Sequence, residues 1–148
     1  MRPFLIVISL LFALPAAASQ DIMRVKASGD VETTMNALEA AVTGAGATVF
    51  ARVDHAGGAD SVGMALRASQ LLIFGNPKLG TPAMQDDPLA GLYLPLRVLV
   101  FEDAEGQVWL AYENPQDMLD DLKIAEDAAY LGAMAGALNK LTGAAAGG

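Results

Sequence analysis

The stretch that decides the fold is a pair of apolar runs joined by a short acidic turn: residues 94–113 read LPLRVLVFEDAEGQVWLAYE. Apolar side chains alternate along Leu94 to Glu102 and again along Gln107 to Glu113, which predicts two half-buried strands. The turn between them ends in Gly106, where a left-handed backbone is wanted. Pro95 makes central pairing at the start of the first strand unfavourable. The stretch therefore predicts an antiparallel β-hairpin.

Shorter patterned segments surround this hairpin. Apolar residues recur at helical spacing after an N-cap at Asp30, along Val31, Met35, Leu38 and Val42. The remaining elements that the patterns predict are strands at residues 22–27, 48–54 and 69–74, a helical turn at 59–64, a helix from Thr81–Pro82 toward Asp87, and a long helix at 116–141. Strands that alternate with helices and include a long hairpin favour an α+β fold. We expect a single domain with a mixed or mostly antiparallel sheet of 4–5 strands and helices mainly on one face.

The two ends of the chain differ from its middle. Residues 1–19 combine Arg2, an apolar run and the small residues Ala16 to Ala18, which is the pattern of a cleaved signal peptide. We therefore expect a periplasmic or secreted protein, with the domain at residues 20–142 and a flexible tail at residues 143–148. In the last helix, Gly132 and Gly136 predict close packing against the sheet or against a partner subunit.

Composition excludes several classes of function. The chain has no Cys and a single His, so neither thiol chemistry nor a typical zinc site is available, and we predict no metal. A formal net charge of −8 makes nucleic acid and anionic membrane poor partners. The Met residues, among them Met64, Met84, Met118 and Met134, are too scattered for a copper carrier and are expected to fill the core.

A Gly-bracketed loop is the main candidate binding segment, since residues 73–82 read IFGNPKLGTP. Gly75 and Gly80 have the spacing of a phosphate-cradling loop, but Thr81 stands where such a loop has Lys. A weaker anion site remains open, made by Lys78 and the free N–H groups at the start of the helix after Thr81. The same residues also fit a plain tight turn at Asn76, with Lys78 in solvent.

Residues 53–114 resemble the domain of unknown function 302 family. The resemblance rests on Asp54-His55, residues 62–66, residues 72–81, residues 94–100, Glu102-Asp103, Gly106, Val108-Trp109 and Tyr112. It implies an α+β fold and a homodimer. It implies no reaction, because that family has no assigned activity.

Three functions stay open on these residues. The first is a dimeric domain that binds a small molecule or anion through His55, Gly75, Asn76, Lys78, Gly80 and Thr81. The second is a hydrolase-like or lyase-like enzyme that uses His55 as a base oriented by Asp54. The third is a structural assembly module. No complete catalytic set follows from local spacing, so no catalytic residue is assigned and the cofactor is unknown.

Overall fold

In the computed structural model, which describes residues 22–147, one antiparallel sheet organises the chain. Its five strands are arranged in the order β1-β5-β4-β3-β2, so the predicted hairpin contributes the central strand and its neighbour. The strands are β1 Ile22–Lys26, β2 Thr48–Asp54, β3 Ser69–Gly75, β4 Leu96–Glu102 and β5 Val108–Glu113. The predicted α+β class is confirmed.

The hairpin forms as its alternation predicts. Val100 of β4 lies opposite Leu110 of β5, and both side chains are fully buried. Gly106 has a φ of 82° in the connecting turn, a backbone conformation that glycine adopts at little cost. Strand β4 begins at Leu96, so Pro95 lies just outside the sheet.

Helices cover one face of this sheet, except the helix at His55–Ser61, which buries no residue. They are α1 Val31–Gly44, α2 His55–Ser61, α3 Pro77–Asp86, α4 Pro115–Met118 and α5 Ala129–Ala146, with a 3₁₀ helix at Pro88–Leu92. Helix α1 begins at its predicted cap, where Asp30 accepts a hydrogen bond from the N–H of Thr33 at 2.7 Å. The apolar stripe of α1 is buried against α5 and the sheet.

The other face of the sheet is also apolar at its centre. Leu71, Leu99 and Ala111 lie side by side across three strands, and Leu71 and Leu99 are half-buried. Arg97 and Glu113 form an ion pair at 3.1 Å near one end of this face. When one face of an antiparallel sheet is exposed to solvent, that face normally carries polar side chains. We call the surface made by Leu71, Ile73, Leu99, Phe101 and Trp109 the open sheet face.

Several predicted boundaries are wrong. Helix α3 begins at Pro77 and not at Thr81–Pro82, and α2 occupies residues 55–61, four residues earlier than the helical turn predicted to begin at residue 59. The long helix predicted at residues 116–141 is two helices, α4 and α5, separated by ten irregular residues, 119–128. The segment contains Asp120, Asp121 and Asp127, which favour turns over helix interiors.

The C-terminal end is also more ordered than its composition suggests. Helix α5 runs on through residues 143–146, where a flexible tail was predicted, and Ala145 is buried. The N–H and hydroxyl of Ser28 both donate to the carbonyl of Ala146, at 3.0 and 3.1 Å. Gly132 and Gly136 are exposed, and a Cβ at either would meet nothing within 4 Å, so the close packing predicted for them does not occur within the chain. The predicted signal peptide lies outside the described residues.

Candidate functional site

An apolar pocket opens where β3 passes into α3. Its volume is about 380 Å³. Its walls come from the end of β3, helix α3, the connection that enters β4, and single residues of β2 and α5. The lining residues are Phe50, Gly75, Asn76, Pro77, Leu79, Gly80, Thr81, Met84, Leu94, Pro95, Leu96 and Met134. This set contains no charged side chain.

Asn76 starts helix α3 and fixes one side of this pocket. Its Oδ1 accepts a hydrogen bond from the N–H of Lys78 at 3.0 Å, which is N-cap geometry. Pro77 at the first helical position has no N–H to satisfy. The N–H groups of Leu79 and Gly80 both donate to the carbonyl of Asn76, at 2.9 and 3.1 Å. The start of this helix therefore has no free N–H left to hold an anion.

The structure separates the six predicted binding residues into two groups. Gly75, Asn76, Gly80 and Thr81 all line the pocket, whereas Lys78 and His55 do not. Neither Gly75 nor Gly80 has a positive φ. A Cβ at Gly75 would lie 3.4 Å from Cβ of Pro95 and 3.5 Å from the ring of Phe50, which is ordinary van der Waals contact.

Two polar groups at the pocket carry unused hydrogen-bonding capacity. The amide nitrogen Nδ2 of Asn76 makes no hydrogen bond to any described residue, and neither does the hydroxyl of Thr81. Thr43 and Thr142, also in helices, donate their hydroxyls to the carbonyl four residues earlier, at 2.9 and 2.8 Å. Thr81 is exposed and, like Thr34 of α1, has a hydroxyl that bonds to no described residue, so this hydroxyl is open to solvent or to a ligand.

His55 lies apart from this pocket. It is the first residue of α2 and is exposed. Asp54, the expected orienting carboxylate, caps α2 by accepting the N–H of Gly57 at 2.9 Å. Between residues 22 and 147, no three His, Asp or Glu side chains gather closely enough to hold a metal ion. The structure therefore gives His55 no base-and-orienter geometry with Asp54.

Phe50 is a pocket residue that the sequence patterns missed. The pairing of β2 with β3 shifts register between Val49 and Ala51, which leaves Phe50 in a bulge. A bulge redirects the side chain that it carries, and the Phe50 ring lines the pocket while remaining 59% exposed. Met84 and Met134 line the same pocket from two helices. Since a bulge interrupts the alternation used to read a strand, no periodic signal could have located Phe50.

Carboxylates at the end of α3 attach this wall to the rest of the domain. The hydroxyl of Tyr130 donates to Asp86 at 2.6 Å, and burial, followed by this hydrogen bond, raises the pKa of Tyr130 to about 12. Asp87 accepts the N–H groups of Lys123 and Leu89, at 3.1 and 2.9 Å, which hold its pKa below the usual value. The bond from Tyr130 joins α3 to α5, and the bond from Lys123 joins the end of α3 to the segment between α4 and α5.

Curated relatives match part of the chain. Proteins described as fluoride-specific ion channel FluC 1, from Brucella suis biovar 1 and Brucella abortus biovar 1, are each 42% identical over 94 residues. The match covers 64% of this chain but 37% and 35% of those relatives, so the chain spans little more than a third of their length. From residue 22 to residue 147, no helix is both long enough and apolar enough to cross a membrane.

A solved structure shares the fold. The crystal structure of an uncharacterized conserved DUF302 protein from Bacillus stearothermophilus superposes with a TM-score of 0.67, covering 84% of this chain and 94% of that one at 17% identity. The family model for the domain of unknown function DUF302 matches residues 23–146, well beyond the segment on which the resemblance was seen. With five antiparallel strands, a helix-covered face and this match, the chain belongs to the DUF302 family.

Proposed function

We propose that this protein is an exported binding domain whose α3 pocket takes a small molecule. The pocket itself is the observation that carries the proposal: about 380 Å³ of largely apolar space, with a few polar groups at its wall. Ligand pockets typically have volumes of ~300–1,000 Å³, apolar linings and a few placed polar groups. The pocket lies at the lower end of that range, which favours a small ligand.

The elements around the pocket support this proposal. Strand β3 lies inside the sheet and α3 is held by Tyr130 and Lys123, so two of the walls belong to packed elements. Pocket walls on packed elements keep their shape with little loss of entropy on binding. An enzyme that uses His55 is less well supported, because its carboxylate neighbour already caps a helix.

The test is to fill the pocket from its helical wall. Gly80→Leu should place a side chain toward Leu94, whose Cδ1 would lie 3.7 Å from the new Cβ. Gly132→Leu is a matched control, because it makes the same change at an exposed helical glycine with open space around it. A thermal-shift screen of small metabolites should find compounds that stabilise wild type and the control but not Gly80→Leu. Equal responses in all three proteins would exclude the pocket as their site.

Export and dimerisation belong to the same proposal. The pattern of residues 1–19 supports export, and intact-mass measurement of secreted protein should show their removal. The open sheet face supports a homodimer, because its centre is apolar while Arg97 and Glu113 carry charges near its end. Five strands at ~4.8 Å spacing give a flat area on the order of 500 Å², smaller than the ~800 Å² per partner of a standard interface, so a dimer through this face belongs to the small class of interfaces.

Light scattering at tens of micromolar tests the dimer. Wild type should show twice the monomer mass, and Leu99→Glu should shift it to monomer because a charge would enter the apolar centre. A monomeric wild type would end the dimer proposal and leave the pocket proposal standing.

A second candidate function is a role linked to fluoride. The curated relatives are described as fluoride-specific ion channels, and more than three-fifths of their length lies outside the match. A domain joined to a channel could respond to the transported ion. Sodium fluoride should then raise the melting temperature more than sodium chloride at equal ionic strength. Equal responses would remove this candidate.

A further inference from the structure

We propose that the ligand of the α3 pocket is a neutral molecule with an apolar body and one hydrogen-bond-accepting head group, such as a ketone, ester or amide. The head group would lie at Asn76 and Thr81, and the body among Phe50, Met84 and Met134. This inference rests on the proposed function, since it names the chemistry of the ligand that the pocket would bind.

The lining determines the body of the ligand. All the side chains that line the pocket are uncharged, and most are hydrocarbon or thioether groups. Two Met sulfurs and one Phe ring favour flat or aromatic bodies, because thioethers make favourable contacts with ring edges. Because removing apolar area from water is the main favourable contribution in such a pocket, the body supplies most of the affinity.

Asn76 supplies a donor of fixed orientation. Only its carbonyl oxygen can accept the N–H of Lys78, so the cap determines which end of the amide is Oδ1. Nδ2 is thereby left with its two N–H groups uncommitted among the described residues. Because Asn76 is half-buried at the pocket wall, a ligand carbonyl that met Nδ2 would satisfy a donor partly shielded from water.

Thr81 adds a second polar group on the same wall. Thr81 lies one helical turn after Pro77. The side chains of Thr81 and Pro77 therefore belong to the same face of α3, which is the face that lines the pocket. Its hydroxyl can donate or accept, and it makes no hydrogen bond to another described residue. Thr81 is exposed and Asn76 is half-buried, so Asn76 is the principal donor and Thr81 serves the head group from the exposed side of the pocket.

Charge favours a neutral head over a carboxylate. Lys78 lies outside the lining, and the N–H groups at the start of α3 are already used. The chain carries a net charge of −8, and Asp86 and Asp87 stand at the other end of α3. An ionised head group without a charged partner loses hydration that the pocket does not replace.

Three probes of nearly equal size separate these possibilities: acetophenone, benzoate and ethylbenzene. Each probe contains one benzene ring. Acetophenone adds a neutral hydrogen-bond acceptor, benzoate adds a negative charge, and ethylbenzene has no polar head group. Chemical-shift titrations should give acetophenone a dissociation constant roughly threefold to tenfold below that of ethylbenzene, the gain of one hydrogen bond. Benzoate should bind more weakly than acetophenone by at least tenfold.

Two conservative variants identify the groups responsible. Asn76→Asp keeps an oxygen that caps Lys78 but replaces the Nδ2 donor with a carboxylate oxygen, so it should abolish the advantage of acetophenone. Thr81→Val keeps the shape and removes the hydroxyl, so it should reduce that advantage in part. Neither variant should weaken ethylbenzene more than twofold.

The outcomes separate failure of this inference from failure of the proposed function. If acetophenone and ethylbenzene bind wild type equally, or benzoate binds most tightly, the head-group assignment is wrong while the pocket stands. The assignment is also wrong if Asn76→Asp leaves the preference intact. If no probe binds, or if all bind Gly80→Leu as they bind wild type, both the inference and the pocket proposal fail.

Discussion

Two segments that follow strands, the hairpin turn and the start of α3, each contain an Asp or Asn side chain, and these two side chains differ in how fully they are hydrogen-bonded. In the hairpin turn, Asp103 accepts the N–H groups of Gln107 and Glu105, at 2.9 and 3.0 Å, and the indole N–H of Trp109 at 2.7 Å. At the start of α3, Asn76 accepts one N–H and leaves its amide nitrogen free among the described residues. The turn is bordered by exposed residues, whereas Asn76 borders a pocket.

The difference teaches how a structural turn can be told from a candidate site. Where every polar atom has a partner inside the chain, the geometry is fully explained by folding, as at Asp103. Where a half-buried polar atom beside an apolar pocket has no partner among the described residues, as at Asn76, that atom can bond either to water or to a ligand. Stability should therefore respond to changes at the hairpin turn, and ligand response to changes at Asn76.

The largest expected effect is loss of the hairpin turn. Asp103→Ala removes the acceptor of three hydrogen bonds and should lower the melting temperature by several degrees. Asn76→Ala removes one helix cap and should lower the free energy of unfolding by about 1 kcal/mol. Thermal and chemical denaturation of both variants measure these two effects. A greater loss for Asn76→Ala would reverse the comparison.

The next largest difference in stability is expected between alanine substitutions at the glycines of the two segments, Gly106 in the hairpin turn and Gly75 before α3. Gly106→Ala places a side chain at a φ of 82° and should cost on the order of 1 kcal/mol. Gly75→Ala meets Pro95 and Phe50 at ordinary contact distance and should change the free energy of unfolding little. Urea midpoints compare the two. Equal losses would mean that Gly75 is needed for more than space.

Acid should act on the hairpin turn through Asp103. Hydrogen bonds from Trp109, and then from the backbone of Gln107, hold the pKa of Asp103 below its ordinary value of 3.8. Because the folded pKa is lowered, this contribution to stability is present above the unfolded pKa and is lost as pH falls through the folded one. Asp103→Asn should therefore flatten the stability profile below about pH 5. Asp87, whose pKa is shifted in the same direction, should keep some slope in that variant; an unchanged profile would contradict the role given to Asp103.

High pH should lower the stability of the protein through Tyr130, whose hydroxyl donates to Asp86 at the end of α3. Burial, and then the hydrogen bond to Asp86, raise the pKa of Tyr130 to about 12, so the contribution of the neutral tyrosine to stability is fully present below the ordinary value of 10.0 and is lost as pH rises through 12. Tyr130→Phe should remove this alkaline loss. Melting temperatures measured from pH 8 upward for both proteins would show it, and a parallel decline would rule out this origin.

The smallest effect is expected at Lys78. The side chain is exposed and outside the pocket lining, so Lys78→Met should leave both stability and the response to neutral ligands within error. A loss of ligand response in this variant would restore the anion site that the sequence suggested.

Sequence reasoning succeeded where one pattern had one meaning. The alternation in β4 and β5 and the stripe of α1 each predicted the buried face correctly. It failed where two signals overlapped. Asn76-Pro77 and Thr81-Pro82 are both helix starts by composition, and the earlier one is used because burial of Leu79 and Ala83 extends the helix over Pro82.

Part of the candidate site could be predicted and part could not. Within the segment from Gly75 to Thr81, every residue except Lys78 lines the pocket. The contributions of Phe50, Leu94 and Met134 depend on a strand bulge and on packing between distant elements. Such contacts join residues far apart in the chain and leave no local pattern.

The bond between Ser28 and Ala146 affects how the protein should be produced. Residues 143–148 have a composition that invites removal for expression or crystallisation. Ending the chain at Thr142 would delete the buried Ala145 and the acceptor of both Ser28 hydrogen bonds. An affinity tag at the C-terminus should therefore follow residue 148 through a spacer, so that the last turn of α5 keeps its place beside the loop that joins β1 to α1.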